Sequence, residues 1–239
     1  MIAGIEPVIQ ALREGIVLER IFLDAKESSP GVSRLVDSAK RSSTPVNKVP
    51  VEKLKSFNID FSEGCIAIRS KIDYQELQNV ISQVVERGEV PLFLLLDGIT
   101  DIRNIGAIAR TAYGSGVHAL VIPEKGVGAL SDDAIATSAG ALELMNVCRV
   151  KSLHDAIDEI RLNGIRVMAS DMKAEKILFD CALTEPLAII IGSEEKGIHP
   201  SLYKVVDEVF SIPMKNDFES FNVSVAAGMM LYEVMRQRL

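Results

Sequence analysis

Two hydrophobic patterns alternate along most of the chain. Continuous apolar runs, such as residues 92–96 and 187–191, are typical of strands buried on both faces, and segments with helical spacing separate these runs. From residue 91 onward the predicted strands are "PLFLLLD", "ALVIP", "MNVCRV", "RVMAS", "LAIIIG" and "EVFSIP", and the predicted helices are 104–114, 131–141, 152–163, 200–206 and 222–238. The predicted fold class is therefore α/β, with a parallel sheet covered by helices on both faces.

Residues 1–72 show the pattern of a smaller α/β module. Its predicted helices are "IEPVIQALREG", "PGVSRLVDSAKRSS" and "VEKLKSF", and its strands are "LERIFLDA", "PVNKVP" and "GCIAIRS". Residues 73–90 also have helical spacing and reach Gly88 just before Pro91. We take them as a helical linker, with the first helix of the next domain as the alternative. The expected domains are thus 1–72 and 91–239, joined by 73–90.

Composition is that of a globular protein with its own core. The 239 residues are 48% hydrophobic and 25% charged. The N-terminus lacks a basic stretch followed by an apolar core, and no apolar run reaches the roughly 18 residues of a membrane span, so we expect a cytoplasmic protein without a membrane partner.

The charge is unevenly distributed. A net charge of −7 argues mildly against a nucleic-acid partner, but residues 1–72 hold 11 Lys or Arg against 9 Asp or Glu. The first module is therefore the better candidate for general contact with phosphates, with an ordinary solvated surface as the alternative.

Cysteine and histidine patterns give no sign of a metal site. Cys65, Cys148 and Cys181 are scattered and odd in number, which favours free thiols over a disulfide. The three histidines are far apart in sequence, and no C-x-x-C or H-x-x-x-H pair occurs. We expect no metal.

Polar segments follow three of the predicted strands, where ligands bind in parallel sheets. In "ITDIRNIGAIARTAYGSG" (99–116), Asn104 stands where a helix N-cap would, and Gly106 permits close approach of a backbone or a ligand. Arg110 lies almost two turns further on and could reach back toward the helix start. A capped helix with a solvated arginine is the alternative.

The other two segments are "IIIGSEEKGIHP" (189–200) and residues 211–238. In the former, two glycines flank a pair of glutamates, so backbone N–H groups could cradle a ligand, although an ordinary turn is the alternative. In the latter, a polar loop precedes a helix that starts near Asn222, and residues 226–228 are small enough for close helix packing. Its methionines fit a core or an interface.

Together the three segments resemble the ordered motifs of the SpoU (TrmH-like) branch of the SPOUT methyltransferases. The matching stretches are "LDGITDIRNIGAIARTAYGSGVHALVIP", "IIIGSEEKGIHP" and "IPMKNDFESFNVSVAAG". The first module, with "GIEPVIQALREG" and "LERIFLDA", resembles the ribosomal-protein-like substrate-binding domain of the ribosomal-RNA members.

The resemblance implies transfer of a methyl group from S-adenosylmethionine to a ribose 2′-hydroxyl of RNA. It also implies a C-terminal trefoil knot made by the second and third motifs, and a homodimer with sites at the subunit interface. By resemblance, the catalytic residues are Asn104, Arg110, Glu194 and Asn222.

The cofactor-binding residues implied by the resemblance are Gly192, Ile212, Ser220 and Phe221. Because a guanidinium does not deprotonate in proteins, we hypothesise that Arg110 binds the phosphate beside the target ribose and stabilises the developing alkoxide. For Glu194 we favour a role in holding its loop through backbone N–H groups over an ion pair with Arg110.

Three positions depart from the family pattern. Ser62 and Glu63 stand where relatives often have His-Gln, Ile102 replaces a common proline, and Phe221 replaces a common leucine. The acid at Glu63 puts a specific RNA contact there in doubt.

The extra N-terminal module favours a guanosine of large-subunit rRNA as the target over tRNA. A non-catalytic RNA-binding or ribosome-assembly protein is an alternative, against which the joint presence of all four catalytic residues counts. A nicotinamide-dependent enzyme is disfavoured, because the nearest match to G-x-G-x-x-G is "GVGALS" at 126–131.

Overall fold

The computed structural model describes residues 1–59, 64–127, 130–216 and 220–239. The chain divides into two units, Met1–Asp73 and Tyr74–Leu239, and each contains its own cluster of buried apolar side chains. The departures at Ser62 and Glu63 lie outside the described residues. In the part of the chain that is described, no helix has the length and apolar character needed to cross a membrane.

In its described residues, the smaller unit contains a four-stranded sheet and three helices. Its elements are β1 (Ile2–Ala3), α1 (Ile5–Arg13), β2 (Leu18–Asp24), α2 (Pro30–Arg41), β3 (Val46–Val49), α3 (Val51–Lys55) and β4 (Cys65–Arg69). The strand order is β1-β4-β2-β3, with β2 parallel to β3 and β4 antiparallel to both β1 and β2. Buried residues of α1, α2, β2 and β4 form its core.

The larger unit alternates strands and helices along the chain. Its elements are α4 (Leu77–Glu86), β5 (Leu92–Asp97), α5 (Ile102–Gly114), β6 (Ala119–Pro123), α6 (Asp132–Thr137), α7 (Ala141–Leu144), β7 (Asn146–Val150), α8 (Leu153–Leu162), β8 (Arg166–Ser170), β9 (Leu187–Gly192), β10 (Glu208–Phe210) and α9 (Val223–Arg238). Two short 3₁₀ turns occupy Leu178–Asp180 and Leu202–Lys204.

The larger unit confirms the predicted α/β fold with a parallel sheet. Six parallel strands have the order β10-β8-β9-β5-β6-β7. Phe93 and Leu95 pack with α4 and α8 on one face, while Leu94 and Leu96 are also fully buried and point to the other face. Burial of both faces explains the continuous aliphatic strands.

Three predicted segments differ in the structure. Residues 74–90 belong to the larger unit rather than to a separate linker, because α4 buries one apolar face in that unit's core. The predicted helix 131–141 is split into α6 and α7, since Ala139 and Gly140 have φ angles of 51° and 85° and interrupt helical geometry. In place of the predicted helix 200–206, the structure has only the short 3₁₀ turn Leu202–Lys204.

The three cysteines are all buried, and no disulfide joins them. Burial raises the pKa of the Cys148 thiol to about 12. The expectation of thiols rather than disulfides is therefore confirmed.

Candidate active site

The sheet order brings the three polar segments to one edge. The segments follow β5, β9 and β10, which lie in the order β10-β8-β9-β5 and end at this edge because they are parallel. The carboxylate of Asp97, at the end of β5, accepts a hydrogen bond from the backbone N of His199 at 2.6 Å. This contact ties the end of the second segment to the end of β5, two residues before the first segment begins.

The first turn of α5 is capped by Asp101. Its Oδ1 accepts a hydrogen bond from the backbone N of Arg103 at 2.8 Å, and this bond is the main cause of the lowered pKa of Asp101. The prediction that Asn104 is the N-cap is wrong, since the helix already begins at Ile102. Asn104 instead lies within the first turn, where its amide is available for contacts outside the helix.

The N-terminus of α9 is capped by Asn222, near which the sequence analysis expects the helix to start. The Oδ1 atom of Asn222 accepts hydrogen bonds from the backbone N of Ser224 at 3.0 Å and of Val225 at 3.4 Å. Capping uses the amide oxygen and leaves the amide nitrogen free to donate elsewhere.

Glu194 joins the three segments through a single carboxylate oxygen. Its Oε1 accepts hydrogen bonds from Asn104 Nδ2 at 3.2 Å, from Asn222 Nδ2 at 2.6 Å and from the backbone N of Val223 at 3.1 Å. Asn222 Nδ2 also lies 3.1 Å from Asn104 Oδ1. We call Asn104, Glu194 and Asn222 the amide–carboxylate network. Three of the four predicted catalytic residues are therefore in contact.

Arg110 is not part of this network. It lies six positions after Asn104, which places the two side chains about 120° apart around the helix axis. Its side chain is exposed and makes no hydrogen bond or ion pair with any residue in the described ranges. The carboxylate of Glu194 is engaged by two amides and a backbone N–H, so the structure does not pair it with Arg110.

Helix α6 packs so closely against Gly106 that a larger residue would not fit at this position. A Cβ at this position would lie 2.7 Å from the carbonyl oxygen of Ala134 and 2.7 Å from Cβ of Thr137, both in α6. The close approach at Gly106 that the sequence analysis allowed for a backbone or a ligand is therefore made by helix α6 of the protein itself. Packing of α6 against α5 at this point fixes the turn of α5 that presents Asn104.

A cleft of about 310 Å³ lies beside the network, at the carboxyl ends of β8 and β9. The four residues predicted to bind the cofactor all line it: Gly192, Ile212, Ser220 and Phe221. Gly192 is also constrained by its own loop, because a Cβ there would lie 2.1 Å from the carbonyl carbon of Gly197. Glu194 and Val223 line the same cleft, so the network borders it directly.

The polar residues of the cleft that the sequence analysis missed include Asp171 and Tyr203. Asp171 follows directly after β8, and Tyr203 lies in the second 3₁₀ turn. Burial and the nearby carboxylate of Asp171 raise the pKa of Tyr203. The position of Asp171 after the predicted strand "RVMAS" was an available signal, whereas nothing in the sequence marked Tyr203.

Comparison with protein families identifies the larger unit. The family model described as "SpoU rRNA Methylase family" matches residues 91–232. The chain belongs to this family. This SpoU family member is 31% identical over 237 residues to YacO of Bacillus subtilis, which is named for the TrmH family of tRNA/rRNA methyltransferases. That alignment covers 99% of this chain and 95% of the relative.

Solved structures of similar proteins cover nearly the whole SpoU family chain. The crystal structure of an RNA 2′-O ribose methyltransferase has 25% sequence identity and a TM-score of 0.58, and the match covers 99% of this chain and 88% of that one. AviRb of Streptomyces viridochromogenes, solved with the cofactor AdoMet, has 24% identity and a TM-score of 0.63. That match covers 99% of this chain and 89% of AviRb.

Proposed function

We propose that this SpoU family member transfers a methyl group from S-adenosylmethionine to a ribose 2′-hydroxyl of RNA. The observation that carries the proposal is the amide–carboxylate network, which lies beside the cleft. In this network Asn104 contacts Glu194, which is 90 positions later in the sequence, and Asn222, which is 118 positions later. Similarity to a solved RNA 2′-O ribose methyltransferase supports the choice of reaction.

The cleft fits S-adenosylmethionine. Its volume of about 310 Å³ is at the lower end of the range for small-molecule sites. Apolar side chains such as Ile212 and Phe221 suit a flat adenine ring, and carboxylates in the lining suit a cation. We also propose the trefoil knot that the resemblance implies for the second and third motifs. Segments of both motifs line this cleft.

When bound, S-adenosylmethionine supplies a methyl group that is activated by the adjacent positive sulfur. The network's residues would orient the ribose hydroxyl, since their amide groups offer both donors and acceptors. Arg110 would bind the neighbouring RNA phosphate and stabilise negative charge as it develops on the hydroxyl oxygen. The hydroxyl proton would pass to that phosphate or to water, because a guanidinium does not serve as a base.

We further propose that the enzyme is a homodimer that packs through α9. Val225, Met229 and Tyr232 are 48%, 38% and 69% exposed and follow one another at helical spacing on one face of α9. The opposite face of the same helix is buried. Exposed apolar side chains on such a face are typical of an interface. Since Arg110 and Asn104 lie on different faces of α5, we propose that Arg110 completes the site of the second subunit.

The proposed target is a guanosine in large-subunit rRNA, modified in the cytoplasm. The smaller unit supports this choice, because a separate module in addition to the methyltransferase unit provides additional surface for a large RNA. Similar curated proteins are named for both tRNA and rRNA, so a tRNA ribose is the alternative substrate.

Methyl transfer to isolated rRNA and tRNA in vitro tests the reaction. We expect incorporation of label from S-adenosylmethionine by the wild-type protein and a loss of at least tenfold in Asn104→Ala, which keeps the helix but removes the amide. Glu86→Ala, on the exposed face of α4, is the control and should match the wild type. A folded wild-type protein that binds RNA but transfers no label would indicate the non-catalytic alternative.

A further inference from the structure

The wall of the cleft that follows β8 contains a carboxylate with no role in the proposed reaction. Asp171 lines the cleft together with Ser170 and Lys173. Strand β8 is separated from β5 by β9, so Asp171 lies about 10 Å, or two strand spacings, from the end of β5. Asn104 follows β5, which places the network and Asp171 at opposite sides of the cleft.

The carboxylate of Asp171 is held in place by its neighbours. Its Oδ1 accepts a hydrogen bond from the backbone N of Lys173 at 2.8 Å, and the Tyr203 hydroxyl lies near the same carboxylate. The backbone N of Asp171 donates to the carbonyl of Phe210 at 2.8 Å. A carboxylate has about four acceptor positions, so the backbone N–H of Lys173 and the Tyr203 hydroxyl leave acceptor capacity for a ligand.

We propose that Asp171 binds the ribose hydroxyls of the cofactor's adenosine, with Tyr203 as the residue that orients its carboxylate. This inference rests on the proposed function. The methyl group must lie near the network, so the nucleoside extends toward the opposite wall, where Asp171 lies. The apolar lining suits the adenine ring, whereas two adjacent hydroxyl donors match the two oxygens of a carboxylate. Acidic side chains bind ribose in the same way in other parallel sheets.

Calorimetric titration with S-adenosylhomocysteine tests the proposal without an activity assay. The second ligand is its analogue in which hydrogen replaces both ribose hydroxyls. We expect the wild-type protein to bind S-adenosylhomocysteine about tenfold more tightly than the analogue. In Asp171→Asn the affinity for S-adenosylhomocysteine should fall about tenfold, and the affinity for the analogue should change less than about twofold.

Two further variants complete the experiment. Tyr203→Phe removes the orienting hydroxyl and should weaken S-adenosylhomocysteine binding about threefold, again with little effect on the analogue. Glu175→Gln changes an exposed acid in the same loop that does not line the cleft, and should bind like the wild type.

The outcomes separate this inference from the proposed function. Equal affinities of the wild-type protein for the two ligands would overturn the role of Asp171. This outcome is measured on the wild-type protein alone, so it does not depend on the folding of any variant. Equal loss for both ligands in Asp171→Asn would also overturn it, because the carboxylate would then not act on the hydroxyls. Failure of the wild-type protein to bind S-adenosylhomocysteine at all would contradict the proposed function together with the inference.

Discussion

Glu194 Oε1 lies 2.6 Å from Nδ2 of Asn222, the residue that caps α9 with its other amide atom. One side chain therefore does two things, since Oδ1 stabilises the helix start and Nδ2 holds the glutamate. The second and third sequence motifs are joined at this contact. The two roles can be separated by mutation.

Asn222→Ser separates helix capping from the network. Serine caps a helix about as well as asparagine but has no amide nitrogen to donate to Glu194. We expect the melting temperature to change little and methyl transfer to fall at least tenfold. Asn222→Ala should lose the cap as well and cost about 1 kcal/mol of unfolding free energy. Full activity in Asn222→Ser would show that capping is the only role of this residue.

Gly106 and Gly114 form a matched pair within α5. Gly106→Ala should lower the unfolding free energy by about 1–3 kcal/mol, because the new Cβ would overlap α6. Gly114→Ala has no atom within 4 Å of the new Cβ and should stabilise the helix by up to about 0.5 kcal/mol. Urea unfolding of both variants measures the difference. Equal effects would contradict the packing seen between α5 and α6.

Glu233 should make stability depend on pH. Hydrogen bonds from Arg236 and Gln237 lower the pKa of this carboxyl in α9 to about 2. Because the folded-state pKa is below the unfolded value near 4.5, the stabilisation is present above about pH 5 and is lost as the pH falls toward 2. Glu233→Gln should therefore melt below the wild type at pH 7, with the difference narrowing in acid. A difference that stays constant from pH 7 to 3 would rule out the ionised carboxylate as its source.

Subunit mixing tests whether Arg110 acts across the proposed dimer. Arg110→Ala and Asn222→Ala should each be nearly inactive alone. Refolding or coexpression in equal amounts would produce mixed dimers in which one of the two sites has both residues intact, restoring about a quarter of wild-type activity. No recovery in a mixture that contains dimers would place Arg110 in the same subunit as the network.

Much of this architecture is readable from the sequence, and the exceptions have physical causes. Continuous apolar runs such as Leu92 to Leu96 predict buried parallel strands, and the structure confirms them. Strand β1 has only two residues, which is too short for any periodicity to appear. Asp101 and Asn104 are both good capping residues, and the sequence alone does not show which of them the helix uses.

The candidate site, like the fold, has some features that the sequence predicts and others that it does not. The order of three polar segments after strands indicates a site at the sheet edge, because parallel strands end together. The contact of Glu194 with two amides depends on the sheet order, which brings β5 beside β9, and that order is not encoded locally. Tyr203 was missed because its role depends on the carboxylate of Asp171, which is far from it in the sequence.

The most direct test of the central claim is to incubate the protein with labelled S-adenosylmethionine and total RNA from a strain that lacks its gene, and then to identify the labelled nucleoside. The account predicts label in a 2′-O-methylguanosine of large-subunit rRNA, absent with Arg110→Ala. Label in tRNA would retain the reaction and overturn the proposed target. Label on a base, or no label in any RNA from a folded protein, would contradict ribose methylation itself.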